Sequence, residues 1–112
     1  MLFRSGDEAE LKPEYFAAST KKQILARMLN NLKGSYVRRH DFNRVLTLIQ
    51  LALLVDPDSG QQLHDRGMTY FLLRRYQEAQ ADFKTYLNLT PRGTPQAVEA
   101  AQLLHRIRGM MN

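Results

Sequence analysis

LHDRGMTYFLLRRYQEAQADFKTYLNLTP, residues 63–91, decides the fold, because residues 29–57, LNNLKGSYVRRHDFNRVLTLIQLALLVDP, run in step with it. At a constant offset of 34 positions Leu29 matches Leu63, Tyr36 matches Tyr70 and Phe42 matches Tyr76. Val45 and Ala79, Ile49 and Phe83, Leu53 and Leu87, and Pro57 and Pro91 continue the series. The apolar members recur at three and four, the period of a helix that buries one face. Each unit ends in a proline, which removes a backbone donor and turns the preceding residue away from helix. Such a unit holds two helices, and because it cannot bury both faces alone it must stack on a neighbour.

Outward from the repeat, residues 1–18 read as a linker or leader, partly disordered, with Gly6 and Pro13 and at most a turn at Glu14–Ala18. The repeat domain is expected over 19–112, with unit one at about 26–59, unit two at about 60–93 and a closing helix at about 94–108. Helix one starts near Thr20, where Thr20 and Gln23 have capping-box spacing, and carries Ile24, Leu25, Met28, Leu29, Leu32 and Tyr36. Arg38, Arg39 and His40 form the turn, and Asp41 caps a second helix with Val45, Leu46, Leu48, Ile49, Ala52 and Leu53 inward. Ser59 and Gln62 repeat the capping-box spacing and open the third, whose inner face is Leu63, Gly67, Tyr70 and Phe71. After a turn at Arg74–Arg75, the fourth helix faces inward with Tyr76, Ala79, Phe83, Tyr86 and Leu87. Thr94 caps the fifth, Pro95 takes its first position, and Val98, Ala101, Leu104 and Ile107 form one stripe.

The fold class is therefore all-α: a right-handed stack of two helical hairpins plus a C-terminal capping helix, resembling the tetratricopeptide repeat (TPR). Hairpin backbones approach most closely at small side chains, here Gly67, Ala79 and Ala101. Tyr36 and Tyr70 fill the gap between hairpins, and Phe42 and Tyr76 staple the turns. Unit one departs from the pattern, with Lys33 at the small position. Its stem is expected along apolar surface with the amine in solvent, and either that hairpin is looser or Gly34 supplies the close approach.

Ile24-Leu25-Ala26-Arg27-Met28-Leu29-Asn30-Asn31-Leu32-Lys33 with Tyr36, Asp65-Arg66-Gly67, and Tyr86-Leu87 ahead of Pro91 carry a narrower likeness. Over about residues 11–108 the chain resembles the C-terminal repeat region of a bacterial family, the Sir-B type of transglutaminase-like/TPR proteins. That resemblance implies a transglutaminase-like domain ahead of the repeats, with Leu11–Phe16 as the linker after it. It makes this chain a repeat-only fragment or a short form, and a transglutaminase-like domain a partner for it. No activity of that domain transfers to these residues.

Composition narrows the chemistry. At 112 residues, 44% apolar and 24% charged, the chain is one domain of the soluble globular class. Without cysteine it has neither disulfides nor thiolate metal sites, which suits a cytoplasmic location. The apolar start is too short for a signal peptide, and no run approaches membrane-spanning length. Residues 1–20 carry a net −2 and residues 21–112 a net +7, so the repeat body is basic. None of His40, His64 and His105 has a metal-type partner three or four residues away. His64 and Asp65, being neighbours on a helix, point about 100° apart and are not expected to orient each other. No nucleophile elbow or phosphate loop occurs. The reading is a non-enzyme with no catalytic residues, metal or cofactor.

The first helix of each unit lines the inner face in this repeat class, which nominates a partner-binding groove. Arg27, Asn30, Asn31, Gly34, Val37 and Arg38 come from unit one, and His64, Asp65, Met68, Phe71 and Leu72 from unit two. Val98, Gln102, His105 and Arg106 come from the last helix. Val37, Met68, Phe71 and Leu72 are apolar where a solvated face wants polar residues, and an apolar strip rimmed by arginine grips peptides or helices. The chaperone-tail clamp of this repeat class is not expected, because Asp65 stands where a carboxylate must be held. The expected function is therefore a scaffold or adaptor that binds a protein or peptide. Two alternatives stand: nucleic-acid association through the basic turns Arg38-Arg39 and Arg74-Arg75, and a docking subunit for a separate catalytic domain. The aromatic residues fall on core positions, so no stacking platform interleaves with that charge, which counts against nucleic acid.

Overall fold

Five helices follow one another in the computed structural model: α1 (Ala18–Arg38), α2 (Phe42–Val55), α3 (Gly60–Leu72), α4 (Tyr76–Leu89) and α5 (Pro95–Met111). The structure describes residues 18–111, with side chains from Lys21 onward, and contains no strand among them. The expected leader lies outside the described residues except for Ala18, the first residue of α1. Each helix packs on the next in sequence.

The caps explain where the helices begin. Asp41 accepts the Arg44 backbone N–H at 3.3 Å ahead of α2, Ser59 accepts that of Gln62 at 3.3 Å ahead of α3, and Thr94 accepts that of Ala97 at 3.2 Å ahead of α5. α1 differs from the reading of its start: it opens at Ala18, so Thr20 lies inside the first turn. Gln62 does not close a capping box either, because its side chain is drawn across to α1, where it donates to Asn30.

The 34-residue repeat is exact in the turns as well. His40 (φ 58°) and Arg74 (φ 62°) both end a helix in the left-handed region. Asp41 N–H donates to Tyr36 C=O at 2.9 Å, and Arg75 N–H to Tyr70 C=O at 2.8 Å, with a second bond inside each from His40 to Val37 and from Arg74 to Phe71. This is the Schellman cap, usually closed by glycine. Here a histidine and an arginine take the strained position.

Packing joins α3, α4 and α5 into one core of Leu63, Tyr70, Ala79, Phe83, Tyr86, Ala100, Leu104 and Ile107, which Leu46 of α2 enters. At Gly67 a Cβ would stand 2.7 Å from Phe83 Cε1, so α3 and α4 cross where only hydrogen fits. Gly34 makes no such crossing, since its nearest neighbour would be the Arg38 guanidinium at 3.5 Å. Tyr70 is buried and Tyr36 half-buried.

The stripe of α5 differs from the expected one. Ala97, Ala100, Leu104 and Ile107 are buried, whereas Val98 and Ala101 are exposed. Gly67 faces Phe83 in the second helix of its own hairpin. Ala101, its counterpart 34 residues on, would need a second helix after α5, and no such helix follows among the described residues. The small residues that α4 meets are instead Ala97 and Ala100.

Candidate functional site

α1, α3 and α5 share a wall in which polar side chains tie α1 to α3 and α5 brings one more alongside. From α1, Lys33 donates to Asp65 at 2.7 Å and to Gln62 at 3.2 Å, and Asn30 accepts from Gln62 at 3.0 Å. Within α3, Gln61 donates to Asp65 at 3.0 Å. From α5, Glu99 brings a carboxylate oxygen to 4.0 Å from His64 Nε2. Lys33 is therefore not the snorkelling residue its position suggested: its amine is ion-paired, and the side chain is only 14% exposed. A cation fits the small position of unit one because α3 supplies the anion opposite.

His64 and Asp65 overturn the helical-wheel argument. Their Nδ1 and Oδ1 atoms lie 3.2 Å apart. Burial pushes the Asp65 carboxyl up, but hydrogen bonds from His64, Lys33 and Gln61 and the Lys33 charge outweigh it and hold the carboxyl below its ordinary range. An ionised carboxylate only accepts, so Nδ1–H of His64 is the donor to Asp65. Nε2 is buried and has no hydrogen-bond partner. The ring packs on Tyr86 at 5.0 Å and on Phe83 at 6.4 Å.

Three neighbouring residues thus do three jobs. Asp65 reaches back to α1. Arg66 makes a bidentate pair with Asp82 of α4 at 2.7 and 2.8 Å. Gly67 admits Phe83. Together they hold one hairpin to the next and close their own.

The expected groove residues divide accordingly. Arg27, Asn30, Asn31, Val37, Arg38, Leu72 and Arg106 are exposed, and Asp65, Met68 and Phe71 are half-buried. His64, at 6% exposure, belongs to the wall's interior and not to its open surface. Phe71 is brought to Arg106, whose guanidinium lies 5.9 Å from the ring centre, and stacks edge-on against Tyr76 at 5.7 Å. Val37 and Leu72 remain 44% and 52% exposed. Val98, Gln102, His105 and Arg106 line one shallow depression together with Ala101. Lys33, Gln62 and Glu99 were missed as wall residues, although the misplaced lysine of unit one was the signal for the first.

Among the described residues no three His, Asp or Glu side chains converge as a metal site would require. The turn cations are partly engaged: Arg75 lies 4.9 Å from the Tyr70 ring centre and pairs with Glu78, and Arg39 lies 5.7 Å from that of Tyr36. No described helix is long and apolar enough to cross a membrane.

Comparison with known proteins agrees with the helical hairpins. A UPF0162 protein of Vibrio cholerae serotype O1 is 30% identical over 91 residues, which cover 81% of this chain and 34% of the relative. A UPF0162 protein of Xylella fastidiosa is 33% identical over 70 residues, 62% of this chain and 25% of the relative. The chain thus spans between a quarter and about a third of the curated relatives it matches. These relatives bear the UPF0162 name and not the Sir-B-type transglutaminase-like one. The family model of the tetratricopeptide repeat matches residues 32–112, most of the chain. The chain belongs to the tetratricopeptide repeat family.

Proposed function

We propose that this chain is an adaptor module that captures a protein partner on the wall of α1, α3 and α5. TPR domains generally bind proteins, and one observation supports doing so here. The links Asn30–Gln62 and Lys33–Asp65 hold α1 to α3 as one surface, with Glu99 of α5 brought alongside His64 of α3. Val37 and Leu72 stand exposed on helices of that surface, with Phe71 under Arg106. A rigid wall with adaptable apolar side chains lowers the ordering cost of gripping a peptide or helix.

The partner we favour is a transglutaminase-like domain of the Sir-B type. The resemblance in the Asn-Asn-Leu-Lys and Asp-Arg-Gly stretches points there, and the relatives carry about two to three times as much chain outside the matched region as within it. The role is non-catalytic and cytoplasmic. Asp65 does not oppose an anionic partner as strongly as its charge alone suggests, since Lys33 matches it at 2.7 Å.

The test is calorimetry of this chain against the separately expressed part of the V. cholerae relative outside the matched region. Binding that Val37→Glu with Leu72→Glu abolishes is expected. No heat of binding, or binding indifferent to both substitutions, overturns the reading. Binding of labelled RNA with strong salt dependence would transfer the function to the basic turns.

A further inference from the structure

The first hairpin carries a second surface that the wall does not use. From Lys21 onward the one buried residue of α1 is Leu29, while Ile24, Leu25, Met28 and Leu32 are between 41% and 57% exposed. At 100° per residue these four fall within an arc of about 100°, spread over roughly 12 Å of helix. Leu29 lies just outside one edge of the arc, and Arg27, Asn31 and Arg38 lie outside the other. Lys21 falls within the arc at its N-terminal end.

Charge is concentrated in the same place. Residues 18–55 hold seven Lys and Arg against one acid, Asp41, whereas residues 56–111 are almost balanced, with seven against six. α1 has no acidic residue at all. Lys33 and Arg44 are spent on Asp65 and Asp41, and Arg27 and Arg38 stand exposed at the rim.

We propose that this face of α1 is a docking site for an acidic amphipathic helix of a partner protein. The stripe has the width and spacing of one helix ridge, so it seats an antiparallel or parallel helix with apolar residues at i, i+4 and i+7. Carboxylates on that helix's flank meet Arg27 and Arg38. A second copy of this chain is disfavoured, because setting α1 against α1 brings like charges together with no acid on either helix. A membrane surface is disfavoured because the stripe lacks the aromatic anchors of interfacial helices and is shallow.

The experiment uses the full chain and a labelled synthetic helix of about 20 residues with a leucine stripe and glutamate flanks, long enough to fold on the surface. Its twin with lysine flanks, a scrambled sequence, and vesicles of phosphatidylcholine with phosphatidylglycerol serve as alternatives. Fluorescence anisotropy is expected to show saturable binding of the acidic helix, weakened at about 0.5 M salt. Met28→Glu with Leu32→Glu should weaken it by at least about tenfold while circular dichroism stays unchanged, since both sites are exposed. Arg27→Glu with Arg38→Glu should transfer the preference to the lysine twin, and Val37→Glu with Leu72→Glu should have no effect. Equal binding of the two twins, no binding of either, vesicle binding in their place, or indifference to the Met28 and Leu32 substitutions overturns the proposal. Because the groove substitutions are read separately, failure here leaves the wall of α1, α3 and α5 untouched, and the converse holds.

Discussion

Adding one methyl group at Gly67 should strain the tightest crossing in the molecule. The new Cβ would lie 2.7, 2.9 and 3.1 Å from three carbons of the Phe83 ring. Phe83 has no exposed surface, and His64 packs against it at 6.4 Å, so the ring has little room to swing aside. Overpacking of this kind costs about 1–3 kcal/mol. Against it, alanine gains about 1 kcal/mol over glycine in a helix interior. The clash wins, because separating α3 from α4 to relieve it would also open contacts of Ala79 and Tyr70. A net loss of up to about 2 kcal/mol lowers the melting midpoint by about 4–8 °C for each kcal/mol in a domain of this size. Urea and thermal unfolding of Gly67→Ala measure it, and the double variant with Phe83→Leu should recover part of the loss. An unchanged or raised midpoint for Gly67→Ala, or losses that simply add in the double variant, would refute the packing argument.

Four further expectations follow from named contacts. Arg66→Ala should cost more than Asp82→Asn in urea unfolding, by about 1 kcal/mol or more, because it strands a carboxylate 7% exposed whereas the arginine is 27% exposed. Arg74→Gly should stabilise the fold by about 0.5–1 kcal/mol by relieving a left-handed arginine at φ 62°; a lower midpoint would show that Arg74 makes contacts worth keeping. The Asp65 carboxyl is held low in the folded state, so its contribution is complete above the ordinary aspartate pKa and lost as pH falls through the folded value. Asp65→Asn should therefore flatten the fall of stability on the acid side, in unfolding curves taken between about pH 3 and 6. Phe71→Ala should lower stability as well as binding, since Phe71 packs on the core and on Tyr76, whereas Leu72→Glu should lower binding alone.

Much of this architecture was legible in the sequence. The offset from Leu29 to Leu63 through Pro57 to Pro91 specified two hairpins, and Asp41, Ser59 and Thr94 marked three helix starts by hydrogen-bonding chemistry. Gly67 announced the crossing with α4, where a Cβ would stand 2.7 Å from Phe83. What escaped the reading depends on side-chain reach and on neighbours. A helical wheel treats His64 and Asp65 as diverging spokes, yet rotation about their side-chain bonds brings Nδ1 and Oδ1 to 3.2 Å. Lys33 looked like a defect because its counter-ion comes from 32 residues away, in the next hairpin. The stripe of α5 was displaced because periodicity shows that Ala101 suits a close crossing without showing whether a helix stands opposite. For the same reason the apolar stripe of α1 was legible as amphipathic, but its half-exposure was not.

Photo-crosslinking reads out which face of the chain meets the partner. A benzophenone side chain is placed at position 72 on α3, where Leu72 is exposed, or at position 50 on α2, where Gln50 is exposed. Each variant is then mixed with the part of the V. cholerae relative outside the matched region. A crosslink is expected from position 72 and none from position 50. Crosslinking from position 50 alone, or equally from both, would contradict capture on the wall of α1, α3 and α5.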